Sequence, residues 1–439
     1  MQISPQRSRA ALIFLTLIAG ALRIAYPIAI GRLGEHSEDR YLEYVVAARR
    51  LVAHGTFLSP WPVDDNARVP SAIMPPGYTG LVAGTYTCFG VDSKVSTILL
   101  QFLNIAATTS IVPLIFLTTR RLADTRAAWI AALTVSINPL LIGFSDYIWD
   151  TAIFSFFVAL AAYVSVRIAQ TGPSLPSMFA FGLFLGGIAL FNPALTIAYP
   201  LLVLWPLFQS KSARAKAFVS SVAASVVGFG IIVSPWIIRN YTTFDRFIYI
   251  RNGLGLQLWL GVCPEASDGG DSVWRHHYPM QNETLASSGE FTPGAFEMEY
   301  LDKCLNNAVT SIKSDPARWT RLSLRRASDY WLGTTMTHSG GAIPSRRSRR
   351  LVMLFIMGEV LLMIMLALFL RRVPRHAGWL ILICVLFSMV YCLTITKLRF
   401  RAPMEPFVAI IVALYLRQLW RSGPDVAGAS SAPGQNEST

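Results

Sequence analysis

Charge is what this sequence has least of. Only 14% of its 439 residues are Asp, Glu, Lys or Arg, against about one-quarter in an ordinary soluble domain. Cysteine is sparse too. Cys88, Cys263, Cys304, Cys384 and Cys392 form no CxxC and have no metal-ligand spacing, and the six histidines form no HExxH. Thiol chemistry and a zinc motif are therefore not indicated. Only Cys263 and Cys304 fall in the same long loop, which leaves one disulfide open there in an oxidising compartment. No internal repeat is visible. The formal net charge of +13 does not signal nucleic acid, because Lys and Arg gather in short loops between apolar runs and no soluble basic domain carries them.

What remains is apolar. The chain is 53% hydrophobic with a mean hydropathy of +0.46, and its repeated apolar runs of about 20 residues read as membrane-spanning helices. Ten are expected, near 10–30, 94–118, 127–145, 147–168, 177–192, 194–209, 215–238, 351–370, 377–395 and 403–420. The first is read as an uncleaved span, because it stays apolar to Ile30 with only Arg23 inside it. Arg7 and Arg9, Arg120, Arg121 and Arg126, Lys211, Arg214 and Lys216, and Arg371, Arg372 and Arg375 occupy alternate loops. The positive-inside bias makes those loops and both termini cytoplasmic, in a multi-pass inner (plasma) membrane protein.

The chain then divides into an N-terminal transmembrane core (1–238) containing a first outer loop (31–93), a long outer loop (239–350), C-terminal spans (351–420) and a small, polar, disordered tail (421–439). "SRRSRR" (345–350) is basic on the outer side, against the bias, but long loops translocate largely regardless of charge.

Several stretches on the outer side can carry chemistry. "GEHSEDRYLEYVVAARRLVAHGTF" predicts an interfacial amphipathic helix over 39–52, with Tyr41, Tyr44, Val45, Ala48, Leu51 and Val52 on one arc and Asp39, Glu43 and Arg50 opposite. Asp39 and Glu43, at i and i+4, suit a base with its orienting acid or a pair of metal ligands. The plainer alternative is that Glu38 and Asp39 only complement the helix dipole. "MPPGYTGLVAG" (74–84) is a loop-to-helix junction in which Pro76 starts the helix. "FSDYIWDTAIFSFF" (144–157) sets Asp146 and Asp150 one turn apart; the first suits a cap, while the second lies deeper, where a carboxylate favours function.

"SPWIIRNYTTFDRF" contributes Trp236, Arg239 and Asn240; Trp236 and Arg239 suit plain interfacial anchors, or the same guanidinium grips a phosphate bidentately. "TKLRFRAPMEPF" (396–407) places Lys397, Arg399 and Arg401 in a short outer loop, where an anionic headgroup or a lipid-linked phosphate would compensate them.

With these motifs in this order, the sequence resembles the GT-C superfamily of integral-membrane glycosyltransferases over about residues 10–420. The likeness is greatest to the branch of dolichyl-phosphate-mannose–protein mannosyltransferases and bacterial aminoarabinose transferases. It implies an all-α polytopic bundle of about ten transmembrane helices. It also implies an inverting glycosyltransferase, hexosyl or pentosyl, that moves a sugar from a polyprenyl-phosphate donor to an envelope glycan, lipid or protein acceptor on the outer face. Under that resemblance Asp39 is the catalytic carboxylate and Asp150 the second acid, with Glu43 beside them. Lys397, Arg399 and Arg401 bind the donor phosphate, with Arg239 and Asn240 as further candidates. No cofactor is assigned, although Asp39 and Asp150 admit a divalent metal. Two features depart from the pattern: relatives more often have Glu where Asp150 stands, and no soluble domain follows the last span, so acceptor recognition falls to 239–350. A secondary transporter and an envelope polysaccharide polymerase or ligase are the alternatives, but a transporter favours paired repeats and ionisable residues at mid-membrane.

Overall fold

A computed structural model describes residues 5–35, 43–61, 68–210, 215–267, 296–333 and 346–421. Asp39 and the tail beyond 421 lie outside these residues. The described chain is helical, with a single isolated bridge pairing Leu58 with Pro70.

Helices α1 (Pro5–Ala29), α2 (Glu43–His54), α3 (Pro76–Phe89), α4 (Lys94–Leu122), α5 (Thr125–Ile137), α6 (Pro139–Gly143), α7 (Thr151–Thr171), α8 (Leu175–Phe191), α9 (Tyr199–Gln209) and α10 (Ala215–Phe244) make up the N-terminal part. Then follow α11 (Leu254–Val262), α12 (Phe296–Ser314), α13 (Pro316–Leu332), α14 (Arg346–Leu370), α15 (Gly378–Leu393) and α16 (Glu405–Arg421). Among the described residues seven helical segments are long and apolar enough to cross a membrane, and three shorter apolar ones (Leu175–Phe191, Pro193–Gln209, Gly378–Leu393) complete the ten expected runs. The chain is a multi-pass membrane protein, and helices are the form its spans must take, since lipid offers backbone groups no other partner.

Packing follows from residue size and from the few polar groups inside. On α8 and α10, a Cβ at Gly182 would fall 2.0 Å from the Ser225 carbonyl oxygen and one at Gly228 would fall 2.3 Å from that of Phe179. Glycine alone lets these two backbones touch, as small residues do at helix contacts in lipid. Arg23 is buried inside α1 and donates to the carbonyls of Ala19, Val135 and Ser136, so its guanidinium ties α1 to α5. The first eleven residues of α16 are all buried, which makes it the central post of the bundle.

The helix expected over 39–52 is described from Glu43 to His54, where it packs Tyr44, Val45, Ala47 and Ala48 inward against α3. Arg50 on its polar arc donates to the carbonyls of Ser59 and Trp61. Two elements depart from the sequence expectation. The span ending near 238 continues to Phe244, so Arg239 and Asn240 belong to helix α10 rather than to a loop. The long outer loop contains the helices α11, α12 and α13, and Cys263 and Cys304 within it are buried free thiols, not a disulfide.

Candidate active site

Where α7 begins, the turn 144–150 is pinned from behind by Asn104 of α4, which donates to the Tyr147 carbonyl at 2.7 Å and to the Tyr78 hydroxyl at 3.3 Å. Asp150 stands at the head of α7 but makes no capping hydrogen bond, so it is not spent on the helix. Its carboxylate is 3% exposed. Oδ2 accepts from Asn192 at 2.8 Å, and the Tyr44 hydroxyl also bonds to it. Burial pushes the Asp150 carboxyl above its ordinary range, while Asn192, the Arg399 and Arg251 charges and Tyr44 pull it back. Asn192 serves twice, since its Oδ1 also accepts from the Ala194 backbone and so starts the short turn Pro193–Ala198.

Asp150 opens onto a cavity of about 500 Å³. Its lining includes the polar side chains of Glu43, Asp150, Asn192, Arg251 and Arg399 and the apolar ones of Ala194, Ile197, Leu254 and Val390. Ile197 and Leu254 are 46% and 60% exposed, so apolar side chains stand where the cavity meets the surroundings. The Arg399 guanidinium lies 4.1 Å over the Trp149 ring, on a turn whose Phe400 stacks on Tyr391 at 4.2 Å. Its Nε, like the Nε of Arg251, is buried with no hydrogen-bond partner among the described residues. Two cations thus reach the same cavity with donor capacity unused, beside one buried carboxylate. A group bearing several acceptor oxygens and negative charge would satisfy both.

Arg251 escaped the sequence reading. Its placement depends on Gly253, where a Cβ would sit 2.9 Å from Arg251 Nη2. The segment around it is fastened by Trp236 and by the two phosphate candidates Arg239 and Asn240. Trp236 Nε1 donates to the Ile250 carbonyl at 2.8 Å, and Asn240 Nδ2 donates to those of Ile248 and Ile250. Arg239 donates to the carbonyls of Ser71 and Phe57 and to Asn240 Oδ1. Arg239 and Asn240 therefore shape the wall behind Arg251 and do not line the cavity.

Arg401 also turns elsewhere. It is buried in an ion cluster with Glu405 at 2.5 Å and Glu359 at 3.4 Å, and donates to the Tyr330 and Trp331 carbonyls. Lys397 is half-buried behind Arg399; burial and the Arg399 charge push its ammonium well down, and the Glu43 charge opposes them. Asp146 is fully buried, 3.5 Å from Arg32 Nε, and its carboxyl is pushed up by burial. Among the described residues no three His, Cys, Asp or Glu side chains gather to hold a metal. Asp39 lies outside them.

No family model and no curated protein matches this sequence. Solved structures do match its fold. The archaeal oligosaccharyltransferase AglB from Archaeoglobus fulgidus, in complex with an inhibitory peptide and a dolichol-phosphate, superposes with a TM-score of 0.54 at 15% identity, covering 97% of this chain and 52% of that one. Its apo form gives 0.55 at 15%, covering 98% and 53%. ArnT from Cupriavidus metallidurans bound to undecaprenyl phosphate gives 0.41 at 12%, covering 95% and 79%. The chain spans about half the length of the oligosaccharyltransferase it matches. The arrangement of its helices is the fold seen in that length of the Archaeoglobus fulgidus oligosaccharyltransferase structures.

Proposed function

We propose that this chain is an inverting glycosyltransferase that moves a sugar from a polyprenyl-phosphate donor to an acceptor hydroxyl at the outer face of the plasma membrane, with both termini cytoplasmic. One observation carries the reading: a single cavity is lined both by the exposed apolar side chains of Ile197 and Leu254 and by Arg251, Arg399 and the buried Asp150. An amphiphile with a phosphate between its lipid chain and its sugar matches that mixture of apolar contact, cations and a carboxylate. The fold adds weight, since the oligosaccharyltransferase of like architecture was captured with dolichol-phosphate.

In the reaction, Arg251 and Arg399 hold the donor phosphate and oppose the charge that develops on it as it leaves. The acceptor hydroxyl approaches the anomeric carbon from the opposite side. Asp39, four residues before Glu43 in the sequence, takes the hydroxyl proton as the new C–O bond forms. The old C–O bond breaks with its electron pair going to the phosphate. Asp150, buried and oriented by Asn192 and Tyr44, positions the acceptor hydroxyl. A single displacement inverts the anomeric centre.

The test is transfer of radiolabel from a mixed pool of polyprenyl-phosphate sugars in membranes holding wild type, Asp39→Asn, Asp150→Asn or Arg251→Met/Arg399→Met at matched protein levels. Transfer by the wild type that collapses in each variant supports the reading. Equal transfer in Asp39→Asn removes that residue from the chemistry, and transfer unaffected by the double arginine variant removes the phosphate assignment.

A further inference from the structure

We infer a second binding site on the outer helices, an open groove of about 660 Å³ that accepts a neutral glycan chain. Its walls are Trp259 and Val262 of α11, Asn307, Thr310, Ser311 and Ser314 of α12, and Arg318 at the start of α13. On α12 these four positions recur at the spacing of one helical face, so an amide and three hydroxyls line one side while the partly exposed indole of Trp259 lines the other.

The chemistry of this lining is selective. Asn307 and Thr310 carry groups that both donate and accept, which matches the dual character of sugar hydroxyls, while Ser311 and Ser314 donate to the Val262 and Ser311 carbonyls and present their oxygens as acceptors. An indole face supplies flat apolar contact for the C–H side of a pyranose or furanose ring. Among the described lining residues none is a carboxylate or an ammonium. The single guanidinium is committed, since Arg318 donates to the carbonyls of Val262 at 2.6 Å, Cys263 at 2.8 Å and Pro264 at 3.2 Å. An anionic partner thus meets one guanidinium with three of its N–H donors already spent, and helical walls offer a peptide no edge for strand addition.

Position relates the groove to the cavity. Leu254 and Gln257 of α11 line the cavity, whereas Trp259 and Val262 of the same helix line the groove. Helix α11 therefore lines both, with the cavity and the groove on different residues of it. The groove holds the acceptor glycan at a distance from the reacting end. This reading rests on the transferase proposal and identifies its acceptor as a neutral polysaccharide or oligosaccharide.

The experiment reads binding without any donor. Purified full-length protein in lipid nanodiscs is passed over immobilised neutral oligosaccharides of the gluco, manno, galacto and arabino series, uronic-acid oligosaccharides and a pool of unstructured peptides. At least one neutral series is captured. Capture falls at least tenfold in Trp259→Ala and in the exposed-face variant Asn307→Ala/Thr310→Ala, and is largely kept in Trp259→Phe. Binding of a polyprenyl phosphate alone, measured on the same preparations, stays at the wild-type level in the groove variants and shows that they are folded. Capture of no neutral series, capture of the peptides or acidic glycans instead, or neutral capture unchanged in both groove variants overturns the proposal. Absence of polyprenyl-phosphate binding by the wild type counts against the transferase reading and leaves the groove standing.

Discussion

Replacing Gly253 by alanine should separate stability from donor binding. Gly253 has a backbone φ of −115°, which any L-residue adopts, so no strain follows from the backbone. At a compatible position a Gly→Ala change stabilises by about 0.4–1 kcal/mol through the unfolded chain. The new Cβ would nevertheless lie 2.9 Å from Arg251 Nη2, 3.1 Å from Nε and 3.3 Å from Cζ. The side-chain end is free to swing aside, so the fold survives while the guanidinium leaves its place. A hydrogen bond to a charged group is worth about 1.5–3 kcal/mol. At 1.4 kcal/mol per tenfold, full loss of the Arg251 contact weakens polyprenyl-phosphate binding roughly 10- to 150-fold.

Arg251→Met sets that full loss, and Gly253→Ala should fall between it and the wild type, with a Tm equal to or above the wild-type value. The assay is binding of a labelled polyprenyl phosphate to nanodisc-held protein, with thermal unfolding followed in parallel. Wild-type affinity in both Gly253→Ala and Arg251→Met would refute the assignment of Arg251 to the phosphate. Weak binding by the alanine variant alone would mean that Gly253 matters for another reason.

Three further outcomes follow from the same geometry. Asp150→Asn should cut sugar transfer at least a hundredfold, on the scale of about 2.7–4 kcal/mol typical for a preorganised active-site group, while thermal stability holds or rises because a buried charge is removed. Arg399→Met and Arg401→Met, two residues apart, should fail differently. The first should weaken lipid-phosphate binding with the fold intact, and the second should lower yield and Tm, since breaking a buried ion pair costs about 3–5 kcal/mol. Glu297 is buried against the Ser71 hydroxyl and the Ala72 amide, and burial raises its carboxyl to about 7. The folded state therefore holds that proton more tightly than the unfolded chain does. The stabilisation is complete below about pH 4.5, the carboxyl's ordinary value, and is lost as pH rises through 7. Glu297→Gln should flatten the stability profile between those limits, as chemical denaturation across pH will show.

How much of the site could be read from the sequence differs residue by residue. Asp150 was singled out because a carboxylate at the edge of an apolar run is expensive, and that cost is visible without a structure. Arg399 and Arg401 look alike in "LRFRAPME", yet one faces the cavity and the other a buried acid cluster. The signal that separates them was present: Glu405 follows Arg401 by four residues, the spacing of a helical ion pair. Nothing local marks its second partner, Glu359, which lies on another span. Arg239 and Asn240 drew notice as polar groups at a helix end, but their partners are backbone carbonyls in segments 57–71 and 248–250, which sequence spacing does not reveal. Arg251 and Asn192 carried no signal beyond being polar residues near the outer ends of apolar runs.

The sequence by itself determined the solvent of this protein, the number of its apolar runs and their helical form. These are sums over consecutive residues, and lipid leaves the backbone no alternative to the helix. Only the tertiary structure decided which cations keep donors free for a ligand and which are consumed. That depends on groups brought together from α2, α7, α11 and the turn before α16, at distances where a single rotamer or one Cβ changes the partner.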